Sequence, residues 1–128
     1  MSRTAHILLI DQLADWEPGH LLTELNTGRF TGKRWQIVGV AASTDPVSTM
    51  GGVRWVPDGT LADLDPADSD LLLMPGGMGW QPDSEAPYVE MASRFIDVGV
   101  PVAAICGATE ALARGGLLDR TAAHLHRP

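Results

Sequence analysis

The chain has 128 residues, of which nine are Lys or Arg and sixteen are Asp or Glu, and its formal net charge is −7 at pH 7. This length predicts one domain over 1–128 with a real hydrophobic core, and an acidic chain without a basic cluster argues against nucleic acid or an anionic membrane as a partner. A single cysteine cannot form an internal disulfide, and no apolar run is long enough for a signal peptide or a membrane span, so we expect a cytoplasmic protein.

Predicted strands and helices alternate along the chain. Nearly continuous apolar runs predict strands buried on both faces of a parallel sheet, whereas apolar residues at helical spacing predict amphipathic helices. This alternation favours an α/β fold, an open and mostly parallel sheet with helices on both faces. In chain order we predict strands over 5–11 and 35–42 separated by a helix over 18–26, a hairpin over 47–56, a helical turn over 61–65, strands over 70–74 and 101–105 separated by a helix over 89–98, and a final helix over 109–114.

The only cysteine lies where the last predicted strand meets the last predicted helix. Gly107 directly follows Cys106 and permits a tight turn, so we expect a nucleophile elbow that presents the sulfur at the C-terminal edge of the sheet. The partial positive charge of a helix N-terminus favours thiolate over thiol, which predicts a low pKa for Cys106. A buried, inert cysteine is the alternative.

Two further segments are expected near Cys106, because ligands of open α/β sheets bind beyond the carboxyl ends of the strands. Backbone N–H groups of Gly76 and Gly77 could stabilise an oxyanion, although an ordinary glycine turn is the simpler explanation. Glu17, if protonated, would donate a hydrogen bond to the thiolate; if ionised, it could accept a proton from substrate. It could equally be a first-turn glutamate stabilised by the helix dipole.

Other candidate residues have weaker support. Either His126 or His124 could be the base of a Cys–His pair, or both could be solvated histidines of a terminal segment. Trp80 follows the glycine loop and could line the pocket, although packing is the simplest role of a tryptophan. The sequence has no spaced set of metal ligands and no phosphate loop, so no metal or cofactor is predicted.

Three segments together resemble the motifs of one protein family in order and spacing. They are Asp15-Trp16-Glu17, the run Leu-Met-Pro-Gly-Gly-Met-Gly-Trp over 73–80, and Ala-Ala-Ile-Cys-Gly-Ala-Thr over 103–109. The family is the PfpI-type branch of the class I glutamine amidotransferase-like superfamily, which includes the parkinsonism-associated deglycase and chaperone, intracellular proteases, glyoxalase-III-like enzymes and isocyanide hydratases. Similar stretches over 47–64 and 111–119 extend the resemblance to nearly the whole chain.

The resemblance implies a fold, a site and an oligomeric state. The fold is a flavodoxin-like sandwich, and members of the family are usually dimers, so we expect a homodimer. The reactive cysteine maps onto Cys106, its acidic partner onto Glu17, the oxyanion donors onto Gly76, Gly77 and Gly107, and Asp15 joins Trp80 among the expected pocket residues.

The chain departs from the family in its motifs and its length. A true glutamine amidotransferase has Gly-x-Cys-x-Gly and a later His-x-Glu pair, but Ala104 and Ala108 occupy those glycine positions. Protease-type members have a histidine where this chain has Gly107, which disfavours peptidase activity. Members also continue well beyond residue 128, so we expect the C-terminal part of the family domain to be lacking here.

Two functions of different classes fit these residues. In the first, an enzyme, Cys106 adds to the electrophilic carbon of a small carbonyl-like substrate, with glyoxalase, deglycase, hydratase or small-amide hydrolase chemistry. In the second, a redox sensor or chaperone-like protein of oxidative stress, the same cysteine is oxidised and a partner detects the change.

Overall fold

The computed structural model describes residues 3–119, and its elements follow the predicted alternation. The α-helices are α1 (Trp16–Thr27), α2 (Ala86–Asp97) and α3 (Gly107–Arg114), and short 3₁₀ helices span Leu61–Asp63, Pro66–Asp68 and Leu117–Asp119. The strands are β1 (Arg3–Leu8), β2 (Trp35–Ala41), β3 (Val47–Ser48), β4 (Arg54–Trp55), β5 (Gly59–Thr60), β6 (Leu71–Met74) and β7 (Val102–Ala104).

Five of these strands form one parallel sheet in the order β5-β2-β1-β6-β7. β3 and β4 pair separately as an antiparallel hairpin, as predicted. The fold class predicted from the sequence, α/β with a mostly parallel sheet, is therefore confirmed. Strand order reverses at β1, with β2 on one side and β6 on the other, and such a switch point opens a crevice at the carboxyl ends of the strands.

The core lies around the two central strands. Leu8 of β1 and Leu72 of β6 are fully buried, and α2 contributes Met91 and Phe95, which lie one helical turn apart. The uninterrupted burial of residues 5–8 in β1 and 72–74 in β6 agrees with sequences that do not alternate between polar and apolar residues. No helix within residues 3–119 combines the length and the apolar character that a membrane crossing needs.

Several elements differ in their boundaries from those predicted, and three of the differences lie near the carboxyl edge of the sheet or in the core. β1 ends at Leu8, and the apolar run continues into the loop that follows, where Leu9 and Ile10 are also buried. α2 begins at Ala86 rather than at residue 89, since Pro87 suits a first helical turn. α3 begins at Gly107, directly after the cysteine, rather than at residue 109.

His6 is a buried polar side chain of β1. It is 7% exposed, and its Nδ1 lies 2.7 Å from Ser69 Oγ, which in turn donates to the Leu71 carbonyl. Burial lowers the pKa of His6 from its ordinary 6.5, while the negative charge of Asp68 acts in the opposite direction. The folded chain therefore favours the neutral imidazole.

This burial makes stability depend on pH with a definite sign. Because the pKa of His6 is lower in the folded chain, its stabilising contribution is complete above the unfolded value of 6.5 and is lost as pH falls from there through the folded pKa. We expect the urea midpoint of His6→Gln to change less than that of the wild type over this interval. His20→Gln, at an exposed position on α1, is the control and should keep the wild-type slope. Equal slopes in His6→Gln and the wild type would contradict the prediction.

Candidate active site

Three loops meet at the carboxyl edge of the sheet. The loop after β1 leads to Glu17, the loop after β6 contains Gly76 and Gly77, and Cys106 follows β7. The first two loops are joined as a short antiparallel bridge, in which the Ala14 N–H donates to the Gly76 carbonyl at 2.9 Å. The structure thus brings together residues that lie far apart in the sequence.

Cys106 occupies the strained turn that was predicted for it. Its backbone has φ 48° and ψ −115°, a left-handed conformation that is uncommon for a residue other than glycine. Its carbonyl accepts hydrogen bonds from Thr109 and Glu110 in the first turns of α3, at 2.9 and 3.3 Å, which fixes the turn to the helix. The cysteine is exposed, so a small molecule can reach this residue.

The Glu17 carboxylate lies beside the Cys106 thiol. Glu17 Oε2 is buried and has no hydrogen-bond partner among the described residues. The Glu17 carboxylate is near enough to raise the pKa of the Cys106 thiol, but the geometry between the two groups falls short of a formed hydrogen bond. An unpaired buried carboxylate oxygen is costly, and here it faces a group that can supply a proton.

Gly76 makes this proximity possible. A Cβ on residue 76 would overlap Glu17 Oε2 and would lie 3.0 Å from both the Cys106 Cβ and the Ile105 carbonyl oxygen. Every other amino acid would therefore push the carboxylate or the elbow out of place. The glycine predicted as an oxyanion donor has at least this second, steric role.

The predicted low pKa of Cys106 is wrong in direction. The pKa of the thiol is raised, first by its interaction as a donor with the Glu17 carboxylate and then by the negative charge of Glu17, with burial and the charge of Glu110 adding to the effect. A full negative charge beside the sulfur outweighs the partial positive charge of the α3 N-terminus. The contact with Glu17 thus favours the protonated form of Cys106.

The backbone amides predicted as oxyanion donors have free N–H groups. In the described part of the chain, no acceptor is recorded for the N–H of Gly76 or of Gly77. Gly107 is the first residue of α3, where the helix offers its own N–H no acceptor. A Cβ on Gly107 would lie 3.1 Å from the Gly77 carbonyl oxygen, so the two segments approach closely. Their use as oxyanion donors stays a prediction.

Trp80 is buried and packs against the glycine loop. Its Nε1 donates to the Pro75 carbonyl at 2.7 Å, and its ring meets Tyr88 edge to face with centroids 5.7 Å apart. At 5% exposure it fits the packing role more closely than an open pocket wall. The indole fixes the start of the loop that carries the two glycines.

Asp15 contacts the β3–β4 hairpin. Its Oδ2 accepts from the Thr49 hydroxyl at 2.5 Å, and its Oδ1 accepts from the Gly51 N–H at 2.8 Å. The Thr49 hydrogen bond is the largest cause of a lowered pKa for Asp15. The sequence analysis did not single out Thr49. Its hydrogen bond to Asp15 depends on the folded hairpin, and the local sequence does not show which carboxylate the hydroxyl will contact.

Two further predictions concern a histidine partner for Cys106 and metal ligands. His124 and His126 fall outside the described residues, so the predicted Cys–His pair stays a prediction. Across residues 3–119, no group of three or more His, Cys, Asp or Glu side chains has the arrangement of a metal site.

A cysteine elbow at the edge of a mostly parallel sheet defines a flavodoxin-like α/β protein with a candidate nucleophile. The DJ-1/PfpI family model matches residues 3–126, and the chain belongs to this family. The resemblance noted from its motifs is therefore confirmed.

Similar proteins include both curated sequences and solved structures. The chain is 32% identical over 121 residues to the uncharacterized protease YoaZ of Bacillus subtilis, covering 92% of this chain and 58% of YoaZ. It is 34% identical over 91 residues to the glutathione-independent glyoxalase DJR-1.2 of Caenorhabditis elegans, covering 70% and 49%. A thiJ/pfpI family structure from Bacillus anthracis is 37% identical with a TM-score of 0.85, covering 93% and 57%. The chain thus spans about half the length of the curated relatives it matches.

Replacing the carboxylate tests the electrostatic account of the site. We expect Glu17→Gln to lower the pKa of Cys106, because the amide removes the charge that keeps the proton on sulfur. The chain has one cysteine, so the rate of iodoacetamide alkylation across pH titrates Cys106 alone. Glu90→Gln, at an exposed carboxylate of α2, is the control and should leave that pKa unchanged. A higher pKa in Glu17→Gln would show that Glu17 donates a proton to the thiolate instead.

Filling the space at residue 76 tests its steric role. We expect Gly76→Ala to displace the Glu17 carboxylate, to shift the pKa of Cys106 downward, and to cost roughly 1–3 kcal/mol of stability through overpacking. The matched control is Gly59→Ala, since a Cβ there meets no heavy atom within 4 Å. Denaturant unfolding and alkylation across pH measure both effects. A stability loss with an unchanged pKa would mean that Glu17 does not depend on the open space.

Proposed function

We propose that this protein acts on small α-oxoaldehydes by glyoxalase-type chemistry, with Cys106 as the nucleophile and Glu17 as its base. The observation that carries the proposal is the exposed elbow cysteine beside a buried Glu17 carboxylate oxygen that has no hydrogen-bond partner within residues 3–119. The name of the Caenorhabditis elegans relative, a glutathione-independent glyoxalase, supports this choice of substrate.

The first step is addition of sulfur to the aldehyde carbon. As the S–C bond forms, the thiol proton moves to Glu17 and the carbonyl electron pair moves to oxygen. The amides of Gly76, Gly77 and Gly107 would stabilise the oxyanion. Return of the proton from Glu17 to that oxygen gives a neutral hemithioacetal. This step needs no thiolate at rest, which agrees with the raised pKa of Cys106.

The second step is an internal oxidation and reduction. Glu17 can take the proton from the carbon bonded to sulfur and return a proton to the neighbouring ketone carbon, while the hydroxyl proton of the hemithioacetal moves to the ketone oxygen. The first carbon is thereby oxidised to a thioester and the second is reduced to an alcohol. Water then cleaves the thioester, releasing a 2-hydroxy acid and restoring the thiol. One water is consumed, and no external oxidant or reductant is required.

Peptide hydrolysis fits the described residues less well, although one relative is named an uncharacterized protease. Amide cleavage requires a group that protonates the leaving amine, and Gly107 occupies the position after the cysteine where a histidine would serve. An aldehyde has no leaving group, and its carbon is more electrophilic. We therefore favour aldehydes over peptides as substrates.

The redox-sensor alternative is weakened by the electrostatics of the site. Peroxide oxidises the thiolate, and both Glu17 and Glu110 raise the pKa of Cys106. Exposure of the cysteine is the observation in its favour. A homodimer and a cytoplasmic location remain proposals drawn from the sequence.

Turnover of methylglyoxal is the test of this function. We expect the 128-residue chain to convert it to lactate, Cys106→Ser to abolish the reaction, and Glu17→Gln to slow it by about 10²–10⁴-fold, as loss of a general base does. Glu90→Gln is the control for folding and charge and should retain the wild-type rate. Activity retained in Cys106→Ser would contradict the proposal. No turnover, combined with rapid peroxide oxidation of Cys106 by mass, would support the sensor instead.

A further inference from the structure

The β3–β4 hairpin is bound tightly to the segment that leads into α1. Three hydrogen bonds donated by backbone N–H groups join the two: Gln12 N–H to Ser48 O at 2.6 Å, Met50 N–H to Leu13 O at 2.8 Å, and Ser48 N–H to the side-chain Oδ1 of Asp11 at 2.9 Å. The Asp15 carboxylate adds two more, from the Thr49 hydroxyl and the Gly51 N–H. Five hydrogen bonds therefore converge on residues 11–15.

Asp15 makes no capping bond to its own helix. It is the N-cap residue of α1, a position where aspartate normally accepts a hydrogen bond from the first turn, and it makes no such bond. Both carboxylate oxygens are instead engaged by the hairpin. Thr49, whose hydroxyl donates to Asp15, is 3% exposed, and its Oγ1 also accepts a hydrogen bond from the Val53 N–H at 3.0 Å. The position of this hydroxyl is therefore fixed by the hairpin.

Glu17 depends on its backbone for its position. Its buried Oε2 has no hydrogen-bond partner among the described residues that could hold the carboxylate in place. It lies two residues after Asp15, and its N–H donates to the Ala14 carbonyl at 3.3 Å, so both residues belong to the same turn. Whatever fixes this turn also fixes where the carboxylate lies.

We propose that Asp15 is a positioning residue, which holds the first turn of α1 against Thr49 and Gly51 so that the Glu17 carboxylate stays beside the Cys106 thiol. This inference rests on the proposed function only in that it takes Cys106 as the nucleophile and Glu17 as its base. Asp15 acts through the backbone and does not touch the reacting atoms.

The charge of Asp15 does not itself account for such an effect. The acidic groups that shift the pKa of Cys106 are Glu17 and Glu110. A change at Asp15 or Thr49 that alters this pKa must therefore work through the position of another group. A role limited to hairpin stability would lower the unfolding free energy and leave the thiol unchanged.

A double-mutant cycle on the pKa of Cys106 tests the proposal. Thr49→Val removes the hydroxyl without changing charge or much volume, and we expect it to shift the pKa downward by part of the change seen in Glu17→Gln. Asp15→Asn should shift it in the same direction. Thr49→Ser keeps the hydroxyl and should restore the wild-type value. In the Glu17→Gln background, Thr49→Val should produce no further shift.

The control is Thr60→Val, which breaks another Thr–Asp side-chain hydrogen bond, from Thr60 to Asp63 at 3.1 Å. It should leave the pKa of Cys106 unchanged. A wild-type pKa of Cys106 in both Thr49→Val and Asp15→Asn would overturn the proposal. So would a Thr49→Val shift that is equally large in the wild-type and the Glu17→Gln backgrounds. Alkylation across pH requires no turnover. A chain that is inactive on methylglyoxal would therefore reject the proposed function, but the pKa of Cys106 could still be measured in every variant.

Discussion

The approach of the Glu17 carboxylate to the Cys106 thiol is the constraint on which the site depends. It requires that the loops after three parallel strands end at one edge of the sheet, which the strand order provides. It also requires a residue without a side chain at position 76, since a Cβ there would occupy the space of the carboxylate oxygen. Sheet topology and one glycine thus decide which two side chains lie beside each other.

The surrounding structure holds strained backbone in place at this edge. Cys106 and Gln12 both have positive φ, 48° and 64°, and such conformations cost about 1–3 kcal/mol each outside glycine. The far end of the elbow helix is anchored by Arg114, whose guanidinium makes two hydrogen bonds of 2.8 and 2.7 Å to the buried Glu85. Bidentate pairs of this kind fix orientation as well as distance. The strained conformations of Cys106 and Gln12 persist because hydrogen bonds hold the segments that flank them.

The fold could be predicted from the sequence because its signals are local. Continuous apolar runs indicate buried parallel strands, a Gly-Gly pair indicates a hairpin, and the Cys106-Gly107 pair indicates a tight turn. The electrostatics of the thiol could not be predicted in this way. The N-terminus of α3 favours a lower pKa for Cys106, whereas Glu17 raises that pKa, and sequence spacing does not show that Glu17 lies beside the thiol. The Asp15–Thr49 hydrogen bond likewise joins residues 34 positions apart.

A thiol and a carboxylate that share one proton can act on an electrophile without a preformed thiolate, provided that the proton is on sulfur at rest. The most direct measurement is the infrared S–H stretch of the protein at neutral pH, which reports Cys106 alone because the chain has one cysteine. The account predicts a clear S–H band that disappears when the thiol is alkylated. Absence of that band in the untreated protein would show that the sulfur is already a thiolate, and would contradict the assignment of Glu17 as the group that receives its proton.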